Sequence, residues 1–281
     1  MHIRKLMKSD IDDAMKLVQA EGWNQTENDW RFLIEQPGNV CLAAEVDGKL
    51  VGTATAAIYS GKLAWIGMLL VNNQFRGKGV GTLLLHAIIQ KLNNIQFVKL
   101  DATPAGREVY KKYGFKEEYR ILRMIRKPTA FKPIHSRFLI LRNVKNDLHR
   151  VKDFDENVFG IRREELVGFL QKHFTLPGLQ VIRNNKIMGI LLGRAGNNYV
   201  QLGPVSAVSS ETAIGLVSEA LAEMEQHPIV IDVLEDKKNL IDWLISVGFE
   251  KQRPFTRMYL NKNSFPGKPE NQFLICGPEF G

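Results

Sequence analysis

The chain has 281 residues, enough for two domains of ordinary size. With 44% hydrophobic and 24% charged residues it is not a disordered chain, and no apolar run approaches the roughly 20 residues of a membrane helix or forms the core of a secretory leader. The net charge of +8 divides into +6 over residues 1–127 and +2 over the rest, and because the basic residues are scattered without interleaved aromatics, the excess suits a polyanionic small ligand better than nucleic acid.

Taken in chain order, Ile11 to Gln19 has helical spacing, with Ile11, Ala14, Met15 and Val18 on one face. A polar-aromatic stretch, Glu21 to Trp30, leads to a short helical piece around Phe32 to Ile34. Strand patterns follow at Val40 to Val46, Leu50 to Ala57 and Ala64 to Val71, with a two-residue hairpin turn at Asp47-Gly48 and a second turn at Ser60-Gly61. A Gly-rich loop then opens a helix from Gly79 to about Leu92. Phe97 to Ala102 reads as a strand, and Thr103-Pro104 as the cap and first turn of the next helix. That helix ends at Tyr113-Gly114-Phe115, before a strand from Tyr119 to Ile125 and a polar, Pro-containing linker around Lys127 to Pro133.

The second half repeats these landmarks. Val71 and Gly81 stand 134 residues before Val205 and Gly215, and Gly114-Phe115 leading to Arg123-Met124 is matched by Gly248-Phe249 leading to Arg257-Met258. Asp101 and Asp232 each close an apolar strand before the last helix of their half. Ordered matches of this kind predict two tandem copies of one mixed α/β fold, at residues 1–128 and 134–264, followed by a tail, 265–281, with a short returning strand near Phe273.

The segment richest in chemistry is Val71-Asn72-Asn73-Gln74-Phe75-Arg76-Gly77-Lys78-Gly79-Val80-Gly81-Thr82. A loop with alternate glycines between a strand and a helix aims backbone N–H groups at one spot, which binds phosphate. Arg76 and Lys78 add charge. The Walker pattern fails because Gly79 follows Lys78, and the dinucleotide fingerprint fails because only Val80 separates Gly79 from Gly81. What Arg76, Gly79 and Gly81 do match is Gln/Arg-x-x-Gly-x-Gly, and in this strand–loop–helix setting the chain resembles the GNAT superfamily of N-acetyltransferases.

The resemblance implies acetyl-CoA as co-substrate, no metal, and a primary amine of a small molecule as acceptor. It assigns Arg76, Gly77, Lys78, Gly79, Val80, Gly81 and Thr82 to the pyrophosphate, and Leu69, Leu70 and Val71 to the thioester and pantetheine. Tyr110, four residues before Gly114-Phe115, matches the family's phenol near the sulfur and is expected as general acid for the departing thiolate. Many relatives carry a Glu on the strand before the loop. This strand reads Ile66-Gly67-Met68-Leu69-Leu70, so the general base is open, with Asp101 the leading candidate ahead of Glu45 and Asp29. Trp23, Asn24, Gln25 and Asp29 fall where the family borders its acceptor site.

In the second half the loop reads Ser209-Ser210-Glu211-Thr212-Ala213-Ile214-Gly215, and Leu244 stands where a phenol would. That copy is expected to be degenerate and to shape or support the first. A peptide-amine acetyltransferase and a non-catalytic acyl-CoA sensor are the competing readings. Cys41 and Cys276 show no metal-ligand spacing, and a reduced, cytoplasmic protein is expected, with neither nucleic acid nor membrane as partner, as a monomer or homodimer.

Overall fold

A computed structural model of the chain describes residues 1–133, 140–142, 147–174, 176, 178–263 and 267–281. The expected domain limits at residues 134 and 264 fall outside these. The first half begins with an unexpected strand, β1 (His2–Lys5), which pairs antiparallel with β2 (Val40–Val46). Its four residues are too few to display a period. Helix α1 (Ile11–Ala20) follows the expected spacing, whereas α2 runs over Glu27–Glu35 and starts well before Phe32. The reason is a capping box: the Thr26 hydroxyl accepts from the Asp29 N–H, and Asp29 Oδ2 accepts from the Thr26 N–H at 2.7 Å.

Strands β2, β3 (Lys49–Tyr59) and β4 (Leu63–Val71) form an antiparallel meander. Asp47, Gly48, Ser60 and Gly61 all have positive φ at its two turns, as tight hairpin turns require. Helix α3 (Val80–Lys91), strand β5 (Phe97–Ala102), helix α4 (Pro104–Lys112) and strand β6 (Lys116–Arg126) complete this half. Along β3 the small residues bring α3 close, since a Cβ on Gly52 would lie 2.9 Å from the Leu70 carbonyl and 3.0 Å from Leu84 Cδ1.

The second half supplies β7 (Ile140–Arg142), α5 (Leu148–Phe159), α6 (Glu164–His173), β8 (Leu179–Arg183), β9 (Lys186–Ala195), β10 (Val200–Ala207), α7 (Ser210–Glu223), β11 (Ile229–Leu234), α8 (Lys238–Ser246), β12 (Glu250–Asn261) and β13 (Gln272–Leu274). All the strands join one mixed sheet in the order β1-β2-β3-β4-β5-β12-β6-β11-β13-β10-β9-β8-β7. The two halves exchange strands at its centre. Strand β12 lies between β5 and β6, and β6 lies between β12 and β11. Each half therefore completes the other's sheet, and the repeated arginines cross over: Arg123 on β6 pairs with Asp232 on β11, and Arg257 on β12 with Asp101 on β5.

Parallel strands β4 and β5 pair only from Leu63↔Phe97 to Ile66↔Leu100. Beyond Ile66 they part. At that point β4 carries a bulge, with Thr53 opposite Leu70 and Thr55 opposite Gly67, and Met68 takes a positive φ. The corresponding pair β10–β11 also parts after Leu202↔Ile231, but there β13 wedges in, with Leu274 registered against both Val205 and Val233. One gap is open and the other is plugged by the chain itself.

The residues after β13 cross back to the first half. Tyr59 donates its hydroxyl to the Phe280 carbonyl at 2.8 Å, Trp65 Nε1 donates to the Pro278 carbonyl at 3.0 Å, and Arg163 donates to the Gly281 carbonyl at 2.8 Å. Phe280 is fully buried, in a core that α1, α2, α5 and α6 share. Gly67 permits the crossing, because a Cβ there would sit 2.9 Å from Glu279 Cα. Gly67→Val is expected to displace residues 277–281 and lower the thermal midpoint by several degrees, with Gly67→Ala in between; differential scanning calorimetry of the three proteins checks the order.

Candidate active site

The gap between β4 and β5 opens into a cavity of about 180 Å³. Five elements converge on it: Gly67, Met68 and Leu69 from β4, Asp101 and Thr103 from the end of β5, Gly106 and Tyr110 from α4, Arg253 and Phe255 from β12, and Pro278 and Glu279 from the closing segment. Trp23, Gln25, Ile66 and Arg123 fill the remaining wall.

Outside the cavity the Gly-rich loop leads from β4 into α3. Gly77 (φ 73°) and Gly79 (φ 81°) are left-handed, which a Cβ would strain. Gly79 caps α3, with no side chain closing the cap and no acid in the first turn, so the leading N–H groups and the positive end of the helix dipole face outward, as an anion site needs. Helix α7 of the second half is closed: Ser209 accepts from the Thr212 N–H, and Glu211 stands in the first turn. With β13 in its gap as well, the second copy is degenerate in both features that could hold an acyl-CoA. The charges of the loop are arranged differently from expectation. Arg76 is ion-paired with Glu21, and Lys78 lies over the Phe75 ring at 5.1 Å.

Of the expected thioester residues, Leu69 lines the cavity and Leu70 is buried beneath it. The edge of β4 from Gly67 to Val71 faces the gap and not a strand. Tyr110 lines the cavity from α4, whose start is held by Thr103 accepting from the Gly106 N–H. Its ring meets Phe115 edge-on, with centroids 5.8 Å apart, and lies across Gly106, where a Cβ would be 3.0 Å from Tyr110 Cε2. Burial pushes the phenol up to about 12, so it is protonated, and a donor, throughout the working pH range.

Asp101 also lines the cavity, but both its oxygens accept from Arg257 at 2.9 Å, and that guanidinium contacts the Tyr119 hydroxyl as well. Burial raises its pKa while Arg257 opposes the shift. Its carboxylate is thus already occupied in holding β12 against β5. Glu45 is engaged by Arg4 where β1 and β2 form one edge of the sheet, two strands beyond β4.

The expected acceptor residues divide. Trp23 and Gln25 line the cavity, and Gln25 Oε1 is buried without a hydrogen-bond partner. Asn24 faces the second half, where its Oδ1 accepts from the N–H groups of Asn198 and Tyr199 and its amide donates to the Tyr199 carbonyl. Gly196 must be glycine there, since a Cβ would fall 2.2 Å from Asn24 Nδ2. Asp29, fully buried, caps α2 and faces Arg194 at 3.4 Å. Asn24 and Asp29 therefore dock the two halves, and the cavity wall falls to their neighbours.

The sequence marks Arg123 only as a landmark of the repeat, and nothing in it points to Arg253, Phe255 or Glu279 as site residues. They lie between 123 and 279 residues along the chain and meet only because β6 and β12 exchange and the closing segment returns. Glu279 is 2% exposed and ion-paired with Arg194, yet its Oε2 has no partner. No group of three or more His, Cys, Asp or Glu side chains among the described residues is arranged to hold a metal.

A splayed parallel strand pair beside an open helix N-terminus, with a phenol across the gap, is an arrangement of the GNAT acyltransferase type. Residues 5–115 match the family model described as "Acetyltransferase (GNAT) family", and residues 151–274 match "Acetyltransferase (GNAT) domain". The chain belongs to the GNAT acetyltransferases, with one such domain in each half. It is similar to the uncharacterised N-acetyltransferase YitH of Bacillus subtilis (strain 168), 25% identical over 255 residues that span 88% of this chain and 87% of the relative. It is 26% identical over 279 residues to a holothin acyltransferase of Pseudoalteromonas sp. (strain SANK 73390), covering 92% and 91% of the two. In fold it resembles the crystal structure of a presumed acetyltransferase from Pyrococcus horikoshii, with TM-score 0.82, 22% identity and coverage of 100% and 95%.

Proposed function

We propose that the protein transfers an acetyl group from acetyl-CoA to a primary amine of a small molecule, by direct attack through a tetrahedral intermediate. The observation that carries this reading is the succession along the chain of the unpaired β4 edge, which begins at the cavity, the Gly-rich loop and the open α3 N-terminus. A pyrophosphate on the N–H groups of residues 77–82 would send the pantetheine arm along the unpaired edge of β4, with the thioester beside Tyr110. The edge also offers backbone N–H groups to the developing oxyanion.

A small acceptor is favoured because the cavity, at about 180 Å³, is small, and Trp23, Pro278 and Glu279 line it alongside the strands. The relative named for acyl transfer to holothin supports the same class.

The test is release of free coenzyme A from acetyl-CoA across a panel of primary amines, read with a thiol reagent. Turnover with at least one small amine is expected, and peptide amines should be poorer. Binding of coenzyme A without release for any amine would leave a sensor and end the enzymatic reading. Gly79→Val is expected to weaken coenzyme A binding at least tenfold by isothermal titration calorimetry, because a β-branched residue is strained at a φ of 81° and its side chain would crowd the phosphate oxygens off the backbone.

A further inference from the structure

The charges around the cavity do not cancel group by group. Arg123 is matched by Asp232, and Arg257 by Asp101, each through two hydrogen bonds. Arg194, however, is shared by two buried carboxylates, Asp29 and Glu279. One guanidinium between two carboxylates leaves a surplus negative charge; each carboxylate keeps a buried oxygen without a hydrogen bond, Asp29 Oδ1 and Glu279 Oε2, and of the two residues Glu279 is the one that lines the cavity. Gln25 Oε1, a second buried acceptor without a partner, lines the same cavity.

The opposite surplus stands on another wall. Arg253 on β12 lies over the Phe255 ring at 5.2 Å and has no carboxylate partner among the described residues, and its Nε is buried with no acceptor. A buried polar group without a hydrogen bond calls for an explanation, and a bound ligand or ion is one. Two acceptors and an excess negative charge on one side, with an unmatched guanidinium on the other, form the complement of a zwitterion.

Resting on the acyl-transfer reading above, we propose that the acceptor is a zwitterionic amine of the α-amino-acid kind, with its ammonium on Glu279 Oε2 and Gln25 Oε1 and its carboxylate on Arg253. Glu279 is then the general base that the strand before the loop lacks. Oε2 takes one proton from the ammonium and frees the nitrogen lone pair. The C–N bond forms on the thioester carbon as its oxygen becomes an oxyanion. The C–S bond then breaks, the nitrogen loses its second proton, and the thiolate is protonated by way of Tyr110. One proton is released overall, through Glu279 as product leaves. The placement explains why Glu279 need not be on β4: Gly67 lets residues 277–281 lie directly on that strand.

The carboxylate is tuned for this exchange. Burial is the largest influence on Glu279 and raises its pKa, Arg194 opposes the rise, and Asp29 adds to it. Arg123, Cys276 and Tyr59 also face it. A base with a raised pKa is better matched to an ammonium.

The test uses the full chain and pairs each L-amino acid of a panel with its own decarboxylated amine, for example L-phenylalanine with 2-phenylethylamine and L-alanine with ethylamine. For the best pair, kcat/KM is expected to favour the amino acid at least tenfold, and Arg253→Gln should abolish the preference by raising KM for the amino acid. In Glu279→Gln, kcat/KM should fall about 100-fold with coenzyme A affinity kept. Its pH profile should also climb with unit slope to the pKa of the free amine, since only neutral amine can attack without a base. A merely structural role would leave the shape of that profile as in wild type. Equal rates for amino acids and their decarboxylated partners in the wild-type protein would overturn the zwitterion assignment while leaving acyl transfer intact. No release with any amine would instead remove the acyl-transfer reading, and this inference with it. The wild-type comparison stands whether or not the variants fold.

Discussion

Tyr110→Phe is expected to lower kcat about 100-fold with little change in coenzyme A affinity. The phenol is the one hydroxyl that α4 presents to the cavity, and its removal deletes a donor without deleting the ring, which keeps its edge contact with Phe115 and its seat over Gly106. The direction of the pKa shift defines the step. With the phenol at about 12 and an ordinary thiol near 8.5, full transfer to a solvated thiolate would be uphill by about 5 kcal/mol. The departing thiolate would not be solvated, however. It forms in the same cavity, where burial that raises the pKa of the phenol raises that of the thiol as well. The two move together, so a shared proton along the breaking C–S bond stays within reach. Single-turnover acyl transfer by wild type and Tyr110→Phe, with coenzyme A binding measured by calorimetry, separates this role from packing. Equal single-turnover rates would remove Tyr110 from the chemistry. Gly106→Ala should produce a milder version of the same loss, since its Cβ would press on the ring.

Much of this site is legible in the sequence because its signals are local. The hairpin turns, the left-handed glycines at 77 and 79 and the Thr103 cap each depend on a few neighbouring residues. The repeat with an offset of 134 residues predicted two copies, and the partner of each matched arginine turned out to be the matched aspartate of the other copy. What stayed hidden was the exchange itself. Strand β12 suits either position beside β6, and no residue on it announces that its other neighbour is β5 of the first half. Glu279 is hidden for the same reason: a carboxylate between a proline and a phenylalanine has no period, and it acquires meaning only from Arg194 and Gly67, far away in the chain. Asp101 illustrates the converse. A carboxylate at a strand end looks available in sequence and is engaged in space by a residue 156 positions later.

That engagement leads to the second large effect. Asp101→Ala is expected to cost about 3–5 kcal/mol of stability, because it leaves the Arg257 guanidinium, itself almost wholly buried, without its carboxylate. The equivalent cut on the other side, Asp232→Ala, should cost a similar amount, since Arg123 sits in a mirrored pair. For a chain of this length such a loss lowers the thermal midpoint by on the order of 10 °C. Breaking the pair costs more than the intact pair contributes, because it strands a charge that burial will not let go. A replacement of both partners by apolar residues, Asp101→Leu with Arg257→Met, should recover most of the stability, and the four proteins form a cycle that isolates the coupling. Urea unfolding of all four measures it. If Asp101 served chiefly as a base, Asp101→Asn would instead keep its urea midpoint and lose the acidic limb of the pH–rate profile. Because Arg257 rides on β12 and Asp101 on β5, the measured coupling is also one part of the energy that holds β12, the strand that carries Arg253 and Phe255 into the cavity wall, against the first half.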